Sequence, residues 1–264
     1  MWGEERGRVE VGIQEPALAP ERRTGRNRRM RRSVLIVAGI MSVAALTAGL
    51  LWYWRKRPPS WVTRTEAISI AASYVAHEWT ATAANIFHGV DAEGIRVDTP
   101  DLAYQPAEGD KGWWQTSGKN VGLPYKWGGF ETPEEFDRGL REGRYAGDIY
   151  SAEKRRLLDD AISLHAVGID CSGFVSRCWK LPRSFSTREL PQLCDPVTDL
   201  RQLKPGDIFN THNKHVRLFA GWADAERTRI KVYEAGVRVA LNEYVLKAML
   251  DEGYTAWRYH GMSD

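Results

Sequence analysis

The sequence predicts an α+β fold: a helix carrying a cysteine packs on an antiparallel five-stranded sheet, preceded by a single transmembrane helix. Three observations predict it. Helical periodicities fill the middle of the chain and short strand-like runs its last quarter, an order that segregates helices from sheet. An apolar run of 22 residues near the start has no charge. The stretch GIDCSGFVSRC, residues 168–178, passes from loop signals into a helical pattern at Asp170–Cys171.

Residues 1–32 are polar and rich in Arg, Gly and Pro, the composition of a disordered head. Residues 33–54, SVLIVAGIMSVAALTAGLLWYW, are long enough as a helix to cross roughly 30 Å of hydrocarbon. Trp52, Tyr53 and Trp54 close the run where an aromatic belt belongs. A cleaved signal peptide would have a shorter apolar region ending in small residues. Seven arginines stand in ERRTGRNRRMRR before the run, against Arg55, Lys56 and Arg57 after it. That asymmetry puts the N-terminus in the cytoplasm and the rest of a single-pass cell-membrane protein outside.

Residues 55–118 read as a linker and a helical N-terminal region. Thr63 and Glu66 have capping-box spacing. Ala67, Ile70, Ala71, Tyr74, Val75 and Trp79 recur on one helical face, a pattern that could run on toward Phe87. Trp113 and Trp114 stand in a loop-rich stretch, where they either cover a core or stack on sugar rings, the former being preferred. Residues 119–264 form the second region, in which the stretch 130–169 is strongly charged. Thr132-Pro133-Glu134-Glu135 starts one helix there, and Ser151 with Lys154 to Leu164 a second. The strands of the predicted sheet are Ile208–Phe209, His215–Phe219, Ile230–Tyr233, Val237–Leu241 and Ala256–Tyr259, separated by turns such as Pro205-Gly206-Asp207.

Charge excludes one class of function. Residues 1–57 carry 12 Lys/Arg and 5 Glu, and the other 207 residues carry 25 Lys/Arg and 29 Asp/Glu. The body is mildly acidic, and a nucleic-acid partner would need a basic face on it. Three cysteines are too few for a disulfide scaffold, and no C-x-x-C spacing suggests a metal. Cys178 and Cys194 could pair outside the cell, although Cys178 alone fits a buried helix face.

Cys171 could be a small buried hydrophobe, half of a disulfide, a metal ligand or a nucleophile. Asp170 is a favoured N-cap, and Cys171, Phe174, Val175 and Cys178 then share a face. At the first turn the backbone N–H groups and helix dipole favour a thiolate. Gly173 reads as keeping the approach to the sulfur open. A thiolate nucleophile needs a general acid, and His215, opening the strand HVRLFAGW, is the candidate among six histidines. His212 lies in the loop THNKH, His165 is close in sequence but at the end of the preceding segment, and His77, His88 and His260 have no supporting context.

In order, YKWGG (125–129), DCSGFV (170–175), LPR (181–183), LKPGDIF (203–209), HVRLFAGW (215–222) and KVYEAG (231–236) resemble the NlpC-type, papain-like cell-wall cysteine peptidases over roughly residues 120–259. The resemblance implies hydrolysis of peptidoglycan stem peptides, without a cofactor or metal. It makes Cys171 the nucleophile, His215 the base, and Glu234 the third residue that orients the imidazole. Relatives commonly have His, Asn or Gln at that place, so the carboxylate is a departure. Relatives also usually join the WGG run to the DCSG run by a short link, so the resemblance makes residues 130–169 an insertion, read as a helical cap over or beside the cleft. Tyr125 and Asp170 match positions lining the side that takes the substrate's free amine, and Ser172 is grouped with them as substrate-binding. Asp170 has a competing role as helix cap, Asp207 reads as a turn residue, and Gly128 and Gly129 as backbone geometry. The Cys171 backbone N–H would serve an oxyanion hole. Two other readings stay open: a papain-like amidase or acyltransferase on a lipid or other non-wall substrate, and a non-catalytic wall-binding scaffold.

Overall fold

The structure, a computed structural model, describes residues 59–264 apart from Asp110. The expected transmembrane helix at 33–54 lies outside the described residues, and among them no helix is long and apolar enough to cross a membrane. The longest has 13 residues, about 20 Å at 1.5 Å per residue. The architecture described is therefore the α+β domain without the preceding span.

Strand β1 (Val62–Thr63) leads into helix α1 (Arg64–Ala76). Thr63 Oγ1 accepts the Glu66 N–H at 3.1 Å and Glu66 Oε2 accepts the Thr63 N–H at 2.8 Å, closing the expected capping box. The helix stops at Ala76, because β2 (Glu78–Trp79) leaves it to pair antiparallel with a later strand. A hairpin of β3 (His88–Val90) and β4 (Arg96–Asp98) follows, then β5 (Asn120–Val121), the partner of β2. Trp114 is fully buried, and the Trp79 ring packs edge-on against Trp113, Trp114 and Phe136 with centroids 6.0, 5.5 and 5.0 Å away. The tryptophan pair thus covers the core.

Helix α2 (Pro133–Arg141) has its own capping box from Thr132 and Glu135. Strand β6 (Tyr145–Ala146) pairs in parallel with β7 (Ala166–Val167) around the short helix α3 (Ala152–Leu157), which passes into a 3-10 turn ending at Ala161 rather than running to Leu164. The stretch read as an inserted cap gives Phe136, Leu140, Ala146, Val167 and Ile169 to the main core, so it is built into the domain. The cysteine helix α4 (Cys171–Cys178) comes next, and Tyr74 meets Phe174 edge-on at 5.6 Å.

The sheet has six strands, not five. To the five expected, β9 (Ile208–Thr211), β10 (His215–Trp222), β11 (Arg229–Ala235), β12 (Val239–Val245) and β13 (Thr255–Tyr259), the structure adds β8 (Cys194–Pro196) on the edge, pairing Tyr259 with Cys194. The order is β12-β11-β10-β9-β13-β8, antiparallel throughout. The sixth strand has three residues and ends on a proline, which leaves no alternation to read and confines it to an edge. One face of the sheet packs Val216, Leu218 and Ala235 with Phe174, Val175 and Cys178 of α4. Phe209, Phe219, Ile230 and Val232 form a second core with Met249 of helix α5 (Leu246–Asp251).

Strand β14 (Met262–Ser263) pairs in parallel with β1, aligning Val62 with Met262. Tyr259 stacks on Trp179 at 4.7 Å and donates its hydroxyl to the Ser60 carbonyl at 2.8 Å. Asp207 is fully buried beneath this closure. Its carboxylate accepts Arg258 Nε at 2.9 Å and Nη2 at 2.7 Å, Arg64 Nη1 at 3.2 Å and the Lys204 N–H at 2.9 Å.

All three cysteines are free and buried, so the pairing of Cys178 with Cys194 is not formed. Cys194 Sγ instead donates to the Leu190 carbonyl at 3.2 Å. Burial pushes both thiols well above the usual cysteine range. Native protein at neutral pH is expected to take one alkyl group from iodoacetamide, on Cys171, with Cys178 and Cys194 labelled only after unfolding. Peptide mass mapping checks this.

Candidate catalytic site

The site starts as a seam between two backbones. Asp170 Oδ1 accepts the Gly173 N–H at 2.6 Å and the Ser172 hydroxyl at 2.9 Å, which starts α4 with Cys171 as its first residue. The Asp170 N–H donates to the Gly129 carbonyl at 3.2 Å, and Tyr125 and Phe130 both bridge to Ile169. A Cβ on Gly173 would stand 2.1 Å from the Gly129 oxygen. Gly173 therefore serves the close approach of the YKWGG run to the helix start, a tighter requirement than access to the sulfur. Gly173→Ala is expected to destabilise the domain by about 1–3 kcal/mol or more, since the contact is to backbone that cannot swing away. Urea denaturation measures it.

His215 opens β10, paired with Thr211. Its Nε2 is 2.8 Å from Glu234 Oε2, and the Cys171 side chain is its other hydrogen-bonding neighbour. Burial pulls the imidazole's proton affinity down, but the charge and hydrogen bond of Cys171 and those of Glu234 outweigh it and raise the His215 pKa to about 9. Glu234 is 4% exposed. Burial alone would favour its acid form, yet His215, Arg217 and Tyr244 hold the carboxyl well below the usual range. Its Oε2 also accepts Arg217 Nε at 2.8 Å, and its Oε1 accepts Asn242 Nδ2 at 2.8 Å and the Tyr244 hydroxyl at 2.5 Å.

This coupling has a consequence for stability. A histidine whose pKa rises from an unfolded value near 6.5 to about 9 stabilises the fold fully below 6.5 and loses that contribution as pH rises through 9. The stability gap between wild type and His215→Gln is therefore expected to be widest at pH 6 and to close toward pH 10. Thermal melts across that range check it.

Of the residues named from the sequence, Cys171, His215 and Glu234 come together, and Tyr125 and Asp170 stand beside them. Burial, then Cys171 and Asp170, push the Tyr125 hydroxyl well above the usual tyrosine range. Burial also raises Asp170, opposed by the Gly173 N–H, the Ser172 hydroxyl and Lys126. Ser172 is buried and its hydroxyl is spent on Asp170, so it sits within the cap. His77, His88, His165 and His260 pair with Asp137, Asp101, Glu93 and Asp195, away from the cysteine, and His212 is exposed.

Sequence reasoning missed four partners: Lys126, buried beside Glu131 at 3.5 Å, and Arg217, Asn242 and Tyr244 around Glu234. Arg217 was findable, since residues two apart on a strand share a face and it follows His215 by two. Asn242 and Tyr244 required the β11–β12 register, which aligns Glu234 with Ala240. Among the described residues no group of three or more His, Cys, Asp or Glu side chains is arranged to hold a metal ion. Chemically, a sulfur at a helix start beside a carboxylate-held imidazole suits acyl transfer through a thioester. No protein-family model, curated protein or solved structure matches the chain.

Proposed function

We propose that this chain is a cysteine hydrolase that cleaves amide bonds in peptidoglycan stem peptides. The observation that carries the chemistry is Cys171 at the start of α4 beside His215, whose Nε2 bonds the buried Glu234 at 2.8 Å. The substrate class rests on the ordered motifs from Tyr125 to Gly236 that resemble the NlpC-type peptidases. Such a substrate requires the domain outside the cytoplasm, the side that the arginine excess of residues 21–32 over residues 55–57 favours.

In the proposed reaction the Cys171 sulfur attacks the scissile carbonyl carbon, and the carbonyl π electrons move to oxygen. The Cys171 N–H, among the helix N–H groups with no partner within the helix, faces that oxygen. Collapse breaks the C–N bond, and the leaving amine takes a proton from His215. Water then attacks the thioester, giving a proton to His215, and the thiolate departs from the new carboxylic acid. Glu234 holds the ring through both transfers. Tyr125 and Asp170 are the residues suited to the amine side of the substrate.

The test is incubation of the purified full chain with defined muropeptides, with products read by mass spectrometry. The expected result is addition of one water and a new free amine, absent after iodoacetamide blocking. Intact muropeptides alongside a rapidly alkylated Cys171 would overturn the wall substrate in favour of another acyl substrate. A thiol alkylated no faster than free cysteine would overturn the catalytic reading itself.

A further inference from the structure

We propose that Arg217 is a positioning residue that makes Glu234 an electrically balanced support for His215, so that the Arg217–Glu234 pair stands in for a neutral third residue. The proposal rests on the Cys171–His215–Glu234 reading above. His215 Nε2 and Arg217 Nε share one oxygen, Glu234 Oε2, each at 2.8 Å. The Arg217 side chain is 11% exposed and its guanidinium lies over two aromatic rings, 4.1 Å from the Tyr244 centroid and 4.6 Å from that of Tyr254. Its buried Nη1 has no hydrogen-bond partner. A guanidinium with an idle buried donor is not there to complete a hydrogen-bond network. Its charge on Glu234 is what holds it.

The chemistry gives that charge a purpose. An uncompensated carboxylate would keep the imidazole proton too firmly for a general acid that must release it to an amine. A shared Oε2 weakens its pull on His215 while keeping the ring oriented. The groups facing His215 are Cys171 on α4, with Tyr125 and Asp170 beyond it, and Glu234 on β11. Arg217 on β10, Tyr244 on β12 and Tyr254 before β13 act through Glu234.

The experiment follows the NMR titration of His215 and the pH profile of Cys171 alkylation in the full chain. Arg217→Met is expected to move the His215 titration up by about one unit or more, and Glu234→Gln to move it down by a similar amount. The double variant, with neither charge, is expected to return within about half a unit of wild type. A purely structural Arg217 predicts otherwise: its loss would loosen the fold, leave the titration unmoved, and gain nothing from Glu234→Gln. Either an unmoved titration or a double variant worse than both singles overturns the proposal. If Arg217→Met does not fold, the double variant and Arg217→Lys carry the test. The lysine, keeping the charge, should leave the titration within about half a unit of wild type, and a larger shift overturns the proposal. Neither readout needs peptidoglycan, so failure of the substrate assignment leaves the result interpretable.

Discussion

Cys171→Ala is expected to lower kcat/KM for the cleaved amide at least about 10³-fold, roughly 4 kcal/mol of transition-state stabilisation. The variant should fold as well as wild type, because the side chain lost is small and sits at the edge of the core, 7% exposed. Cys178→Ala supplies the contrast. That sulfur is fully buried on the same helix, seven residues on, and has no role in the proposed reaction. Its loss should cost stability and spare turnover at temperatures where the domain stays folded. Steady-state kinetics and melting curves on the two variants separate nucleophile from core. Equal turnover in wild type and Cys171→Ala would dismiss the mechanism outright.

Asp207→Ala is expected to be the most destabilising single change away from the site, by about 3–5 kcal/mol, or roughly 10 °C or more in Tm. The cost comes from what is left behind. Arg258 loses both bonds of its fork, Arg64 loses an anionic partner, and the Lys204 N–H loses its acceptor, all around a carboxylate with no solvent exposure. Asp207→Asn keeps the shape and one acceptor oxygen, so it should fall between wild type and alanine. A loss under about 1 kcal/mol for alanine would show that the arginines find water instead.

Asp207 also shows where sequence reading stops. Pro-Gly-Asp is a turn signal, and a turn is there. That the same carboxylate gathers arginines from positions 64 and 258 depends on tertiary contact, which no local pattern carries. The parts legible in advance were local: the Thr63–Glu66 cap, the Asp170 cap with its helix, and five strands with alternating or apolar runs. The strand Cys194–Pro196 escaped because three residues cannot show a period. The 130–169 stretch read as an insertion only by comparison with the family the motifs resemble, yet Phe136 and Leu140 are buried in the common core. In the site, Cys171 and His215 were visible through their setting in helix and strand. Of the Glu234 surroundings only Arg217 was within reach, two residues after His215 on one strand, since Asn242 and Tyr244 acquire meaning only when β11 and β12 are laid side by side.

The parallel pairing of β1 with β14 puts residues 62 and 262 next to each other. A force applied through the two ends of this domain would pull those strands past one another in opposite directions, loading their bonds lengthwise rather than peeling them one at a time. The same neighbourhood makes the fold nearly a closed ring of chain. A short linker from residue 264 back to residue 60, with new ends cut in an exposed loop such as 224–228, should give a rearranged chain that folds to the same domain. It would keep Cys171 and His215 on one uninterrupted stretch and hand the choice of attachment point to the experimenter.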